Sequence, residues 1–299
     1  MEGKRHPGRW GMALAAGVLT AGGVLALNDA LFRPTLPPPE DTGLPCRRVS
    51  FPSGGALLSG AVFGEEGQRG CLLLAHGMGV SWDYYLPEIR RFTELGYRVF
   101  AFSYRGYPGS GGRFRGFPQA ARDVAAAIRF AGDGTLPLTL WGHSMGAYAV
   151  CAALALTEQP VERVVACAPF DDPAEAVREI AGRGIPGGRL SAAAVNAVQR
   201  ALFGRDAALR AARGLSRRAV PALILQGSRD DEVTPGGCAL YARRQAVTNP
   251  NVRFRLISEE GSSGHMTLIR RKGEQGVNPE VFPLVEAFLA GELPEETMM

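Results

Sequence analysis

Ser144 is the residue from which a chemistry can be argued. It stands at the centre of Gly142-His143-Ser144-Met145-Gly146, a Gly-x-Ser-x-Gly pattern. Residues 138–141 before it are an apolar run of strand length, and the spacing from Met145 onward is helical. A sharp strand-to-helix turn needs small flanking residues, because the backbone is strained and its neighbours approach closely. It lifts the hydroxyl clear of the sheet and sets it at a helix N-terminus, which favours developing negative charge.

A serine hydroxyl is a weak nucleophile until a base takes its proton. Elimination among the four histidines leaves His265. His6 precedes the apolar N-terminal segment, and His76 ends a strand and belongs to a loop motif. His143 neighbours the nucleophile, with its ring expected to point away from the reacting centre. His265 lies in Gly261-Ser262-Ser263-Gly264-His265, a loop after a strand and so at the edge where a parallel sheet gathers reactive groups. A base of this kind needs a carboxylate to hold its tautomer. Asp230 follows the strong strand at residues 222–226. Its neighbour Asp231 is the main competitor and Asp171 a lesser one. The order Ser144, Asp230, His265 is one that nucleophile-elbow enzymes use. Backbone N–H groups of Met78, in Ala75-His76-Gly77-Met78-Gly79, and of Met145 are the candidate oxyanion donors, each worth about 3 kcal/mol in the transition state.

These groups need a scaffold that brings strand ends together. Eight strand patterns occur, at residues 47–51, 57–63, 71–75, 97–103, 138–141, 163–168, 222–226 and 252–257, most of them separated by helical patterns. The expectation is an α/β fold, a mostly parallel eight-stranded sheet with helices on both faces. Residues 171–218 break the alternation. Asp172-Pro173 starts a helix that Gly182 closes, Val195, Val198 and Leu202 keep helical spacing up to Gly204, and a short helix from Asp206 ends at Gly214. This helical insertion carries nine arginines against five acids, a solvated face or an attraction for anionic lipid or substrate. Val195, Val198, Leu202 and Phe203 either line a pocket beneath it or fasten it to the sheet.

Together these residues resemble the α/β-hydrolase superfamily over residues 47–289. The resemblance rests on His76-Gly77-Met78-Gly79, the serine motif, Gly227-x-x-Asp230-x-x-Val233 and Gly264-His265. Residues 102–110, Phe-Ser-Tyr-Arg-Gly-Tyr-Pro-Gly-Ser, are similar to a loop of the branch with monoacylglycerol lipases and serine aminopeptidases. The resemblance implies Met78 and Met145 as oxyanion donors and residues 171–218 as a lid. Gln226 stands where many relatives carry His, a departure expected to touch no catalytic role.

The N-terminal end reads differently. Lys4, Arg5 and Arg9 precede 18 uncharged residues, 10–27, which as a helix span about 27 Å against a hydrocarbon core of roughly 30 Å. Residues 1–33 are expected to be a signal anchor outside the folded unit, with a cleaved signal peptide ending at Val24-Leu25-Ala26 as the rival and a soluble amphipathic end as a third reading. The catalytic domain would then be extracytoplasmic, or secreted if cut. Residues 34–46 follow as a linker, 47–170 and 219–290 as the core, and 291–299 as a tail.

With 299 residues, 46% hydrophobic and 21% charged, the chain can bury a sizeable core. A net charge of +4, with only two lysines among 33 basic residues, gives no footprint for nucleic acid. Five cysteines in no metal spacing, three of them (Cys71, Cys151, Cys167) inside apolar runs, give no disulfide framework and imply no metal or cofactor. The expected activity is hydrolysis of a small-molecule carboxylic ester or thioester through an acyl-enzyme. A serine peptidase or amidase, or a non-catalytic ligand-binding relative, are the alternatives.

Overall fold

The computed structural model describes residues 21–34, 36, 43–132, 136–184 and 187–292. Eight strands form one sheet: β1 (Cys46–Ser53), β2 (Ala56–Phe63), β3 (Gly70–Ala75), β4 (Tyr97–Phe102), β5 (Leu138–His143), β6 (Arg163–Cys167), β7 (Ala222–Gly227) and β8 (Val252–Ile257). Their order is β1-β2-β4-β3-β5-β6-β7-β8. β2 pairs antiparallel with β1 and with β4, and the other pairs are parallel.

The central strands are apolar without alternation because both faces are covered. Leu73 packs into the core on one side of β3, and Leu72 and Leu74 into the core on the other. Each is fully buried, a gain of about 2 kcal/mol per side chain. Helices α3 (Phe117–Ala131) and α4 (Met145–Ala153) cover the first face, and α2 (Leu86–Glu94) and α8 (Phe282–Ala290) the second. The parallel strands end together at one edge, where the loops after β3, β5, β7 and β8 meet.

Residues 171–218 are helical, as expected, and lie between β6 and β7. They form α5 (Pro173–Gly184), α6 (Gly188–Phe203), a 3-10 turn (Gly204–Ala208) and α7 (Ala211–Arg217). Asp172 caps α5, its Oδ1 accepting from the Ala174 N–H at 2.7 Å. Two expected stops are not stops. α5 continues through Gly182, and Gly214 sits inside α7, where a Cβ would run into the Cys151 carbonyl of α4. That glycine lets two helices touch; it does not end one.

Residues 1–33, expected to stand apart, do not do so as a whole. Helix α1 (Ala21–Phe32) packs against α6. Phe32 is buried, edge to face with Phe114 and Phe117 at 6.2 and 5.1 Å. Gln199 donates to Asn28 Oδ1 at 2.6 Å, Asn28 donates to the Arg115 carbonyl at 3.1 Å, and Asp29 pairs with Arg113 at 3.0 Å. The boundary at residue 33 is therefore corrected. The polar pair Asn28-Asp29 ends the apolar run because it meets protein partners. Residues 10–20 of the candidate span lie outside the described residues. Among the described residues no helix is long and apolar enough to cross a membrane.

Candidate active site

Ser144 occupies the turn between β5 and α4 with φ 56° and ψ −121°, a left-handed conformation that is rare and costly for a residue with a side chain. The surrounding chain enforces it. The Ser144 N–H donates to the Cys167 carbonyl at 2.8 Å, and the Ser144 carbonyl accepts from the Tyr148 N–H at 3.0 Å. The glycines of the motif leave no choice of residue. A Cβ on Gly142 would lie 2.5 Å from the Gly146 carbonyl carbon, and one on Gly146 would collide with the Ala75 carbonyl.

Asp230 and His265, 35 residues apart, meet at 2.8 Å between Oδ2 and Nδ1. Both are buried. Asp230 leaves little freedom to its carboxylate: Oδ1 accepts from the N–H groups of Glu232 and Val233 at 2.9 and 2.8 Å, and Oδ2 also accepts from Gln226 Nε2 at 3.2 Å. The competing acids are used elsewhere. Asp231 is exposed, and Asp171 accepts from the Ala212 N–H at 2.8 Å at the start of α7. Gln226, a departure expected to touch no catalytic role, contacts the candidate carboxylate: its amide holds Asp230 and the Val233 carbonyl, at 3.0 Å, together. The contact joins the end of β7 to the loop beyond it, and only the fold of that loop reveals it.

Glu232 lies 3.7 Å from His265 Nε2 and lines a cleft of about 80 Å³ with Ser144, Met78 and Met145. Both oxyanion candidates thus border the serine, Met145 as the first residue of α4 and Met78 in the loop after β3. Phe117, Phe170 and Val233 make the walls apolar. From the insertion, α5 supplies Ala176, Ile180 and Arg183. Arg183 donates to Glu179 at 2.9 Å and to the Glu232 carbonyl at 2.6 Å, tying α5 to the loop that carries Asp230. Val195 and Phe203, by contrast, are buried away from the cleft and fasten α6 to the rest.

His76 and His143 are buried and neutral. Burial pushes His76 down to about 4. It donates from Nδ1 to the Gly77 carbonyl at 2.8 Å and packs edge to face with Tyr104 and tilted against Tyr107. Burial, then the neighbouring His265, hold His143 well below the usual imidazole range. Among the described residues no three His, Cys, Asp or Glu side chains cluster as a metal would require.

With this geometry in view, comparisons with known proteins add a class. Residues 66–195 match the family described as "Serine aminopeptidase, S33". Solved structures with the same fold include an esterase from Pyrococcus furiosus, 19% identical, with a TM-score of 0.61 over 87% of this chain and 93% of that one. An α/β-hydrolase from Vibrio vulnificus is 17% identical, with a TM-score of 0.61 over 97% and 95% of the two chains. Another, from Penicillium sp. sh18, is 20% identical, with a TM-score of 0.56 over 84% and 97%. A comparison with curated proteins gave no match. The chain has the α/β-hydrolase fold. The segment similar to the serine-aminopeptidase family spans the loop after β3, the serine turn and the start of the insertion.

Proposed function

We propose that the chain is a membrane-anchored serine hydrolase of carboxylic esters or thioesters. The observation that carries this is the Asp230–His265 pair at 2.8 Å, linked through Glu232, 3.7 Å from His265 Nε2, to the cleft lined by a serine held at positive φ. Ser144 Oγ attacks the acyl carbon while His265 Nε2 takes its proton. Asp230 keeps the other ring proton on Nδ1 and steadies the imidazolium. The N–H groups of Met78 and Met145 receive the oxyanion. His265 then protonates the leaving alcohol or thiol, and water, deprotonated by His265 in turn, releases the acid.

The test is fluorophosphonate labelling of the full chain in mild detergent, beside Ser144→Ala and His265→Ala. Labelling and hydrolysis of a short p-nitrophenyl ester by the native chain alone support the proposal. Equal activity in either variant ends it. The family match favours one second reading, a peptidase or amidase, which turnover of aminoacyl anilides without turnover of short esters would establish.

The anchor part of the proposal rests on Lys4, Arg5 and Arg9 ahead of the uncharged residues 10–27, which would leave the catalytic domain outside the cytoplasm. The chain should resist alkaline carbonate extraction, and a chain beginning at Ala21 should be released by it. Release of both would remove the anchor.

A further inference from the structure

Beneath the candidate active site a one-way series of buried hydrogen bonds joins three of its parts. The direction follows from chemistry. The His265 carbonyl can only accept, so His143 donates to it from Nε2, at 3.2 Å. The neutral His143 ring then has its lone pair on Nδ1, which accepts from the Tyr85 hydroxyl at 3.1 Å. The Tyr85 oxygen in turn accepts from the Gly77 N–H at 3.0 Å. Tyr85, His143 and His265 are each less than 5% exposed. Burial raises the Tyr85 hydroxyl well above its usual range, so it keeps the proton that the series requires.

We infer that His143, with Tyr85, is a positioning residue for His265, fixing the base's main chain to the loop that carries Met78. This rests on the reading of His265 as the general base. Asp230 fixes the imidazole at Nδ1, which by itself leaves the ring free to swing about that contact. The His143 bond to the main-chain carbonyl supplies a second fixed point, and the two rings pack at 4.7 Å between centroids. Nε2 is thereby held beside Glu232, which lines the cleft. Because Gly77 precedes Met78 directly, the same series sets the base at a fixed distance from one oxyanion donor. His143 takes no proton from the substrate and touches no reacting atom. It acts through His265.

The experiment is steady-state hydrolysis of a short p-nitrophenyl ester by the full chain carrying His143→Phe, His143→Gln, Tyr85→Phe, or His143→Phe with Tyr85→Phe. Phe keeps the ring volume and removes both hydrogen bonds, and Gln keeps a donor toward the His265 carbonyl. The expected result is a 10- to 100-fold lower kcat for His143→Phe and about tenfold lower for Tyr85→Phe. KM should stay within twofold, and His143→Gln should recover most of the loss. The double variant should lose little more than His143→Phe alone, since one series is cut in both. If His143→Phe does not fold, Tyr85→Phe and His143→Gln carry the test. A kcat within twofold of native for Tyr85→Phe, or multiplicative losses in the double variant, overturns the inference. His265→Ala, run alongside, separates the two levels. If it retains activity the base assignment itself fails, whereas its inactivity with an unaffected Tyr85→Phe removes only the positioning role.

Discussion

At the scale of single residues, the site is a set of small constraints on one carboxylate and one imidazole. Gln226 is the constraint nearest the chemistry that has no chemical part to play. Replacing it by leucine removes a donor to Asp230 and to the Val233 carbonyl while keeping the volume. A loss of about 1.5 kcal/mol in orientation corresponds to roughly a tenfold fall in kcat/KM. Ester turnover by Gln226→Leu measures this, with circular dichroism showing that the fold is kept, and an unchanged rate would mean that the backbone donors alone hold the carboxylate. The triad candidates were legible in the sequence because motif, strand end and chain order narrowed the choice. What stayed hidden were the side-chain contacts that hold them in place. Gln226 reaches Asp230 across a turn, and His143 reaches a carbonyl 122 residues away. No periodicity encodes such contacts.

At the scale of elements, patterning placed all eight strands close to their observed ends, the central parallel ones because they are buried, continuous apolar runs. Helix ends were less legible where a glycine serves packing, as Gly214 does against α4. The largest departure was α1, whose apolar run with a polar end reads like a membrane segment at its border. Its aromatic end fills a slot in the domain. Phe32→Ala should therefore destabilise the chain by about 3 kcal/mol, the cost of an emptied aromatic site. Chemical denaturation monitored by tryptophan fluorescence would measure it. A change below about 0.5 kcal/mol, the range of surface substitutions, would mean that the helix is not docked in solution.

At the scale of the whole molecule, buried neutral histidines set a pH window. Folded His76 takes a proton only near pH 4, while the unfolded imidazole does so near 6.5. As pH falls, the unfolded chain is protonated first, so the contribution is complete above about 6.5 and is lost on the way to about 4. The interval amounts to roughly 3 kcal/mol. His143, shifted in the same direction, adds to it. Buried Glu88 and Asp123, raised chiefly by burial, act with the opposite sign, since the folded chain takes up their protons first. Urea midpoints at pH 7 and pH 5 should therefore differ less in His76→Gln than in the native chain. Equal slopes would show that this histidine is not held neutral.

The contacts of α1 bear on how the chain is processed. Asn28, Asp29 and Phe32 lie beyond Ala26, where a signal peptidase would cut. Cleavage there would discard the greasy leader and leave the plug in its slot, now at the very start of the mature chain. Retained and cut forms would then share the contacts of Asn28, Asp29 and Phe32, so that maturation would change where the chain resides while leaving those contacts in place. Intact-mass measurement after export would tell the two apart.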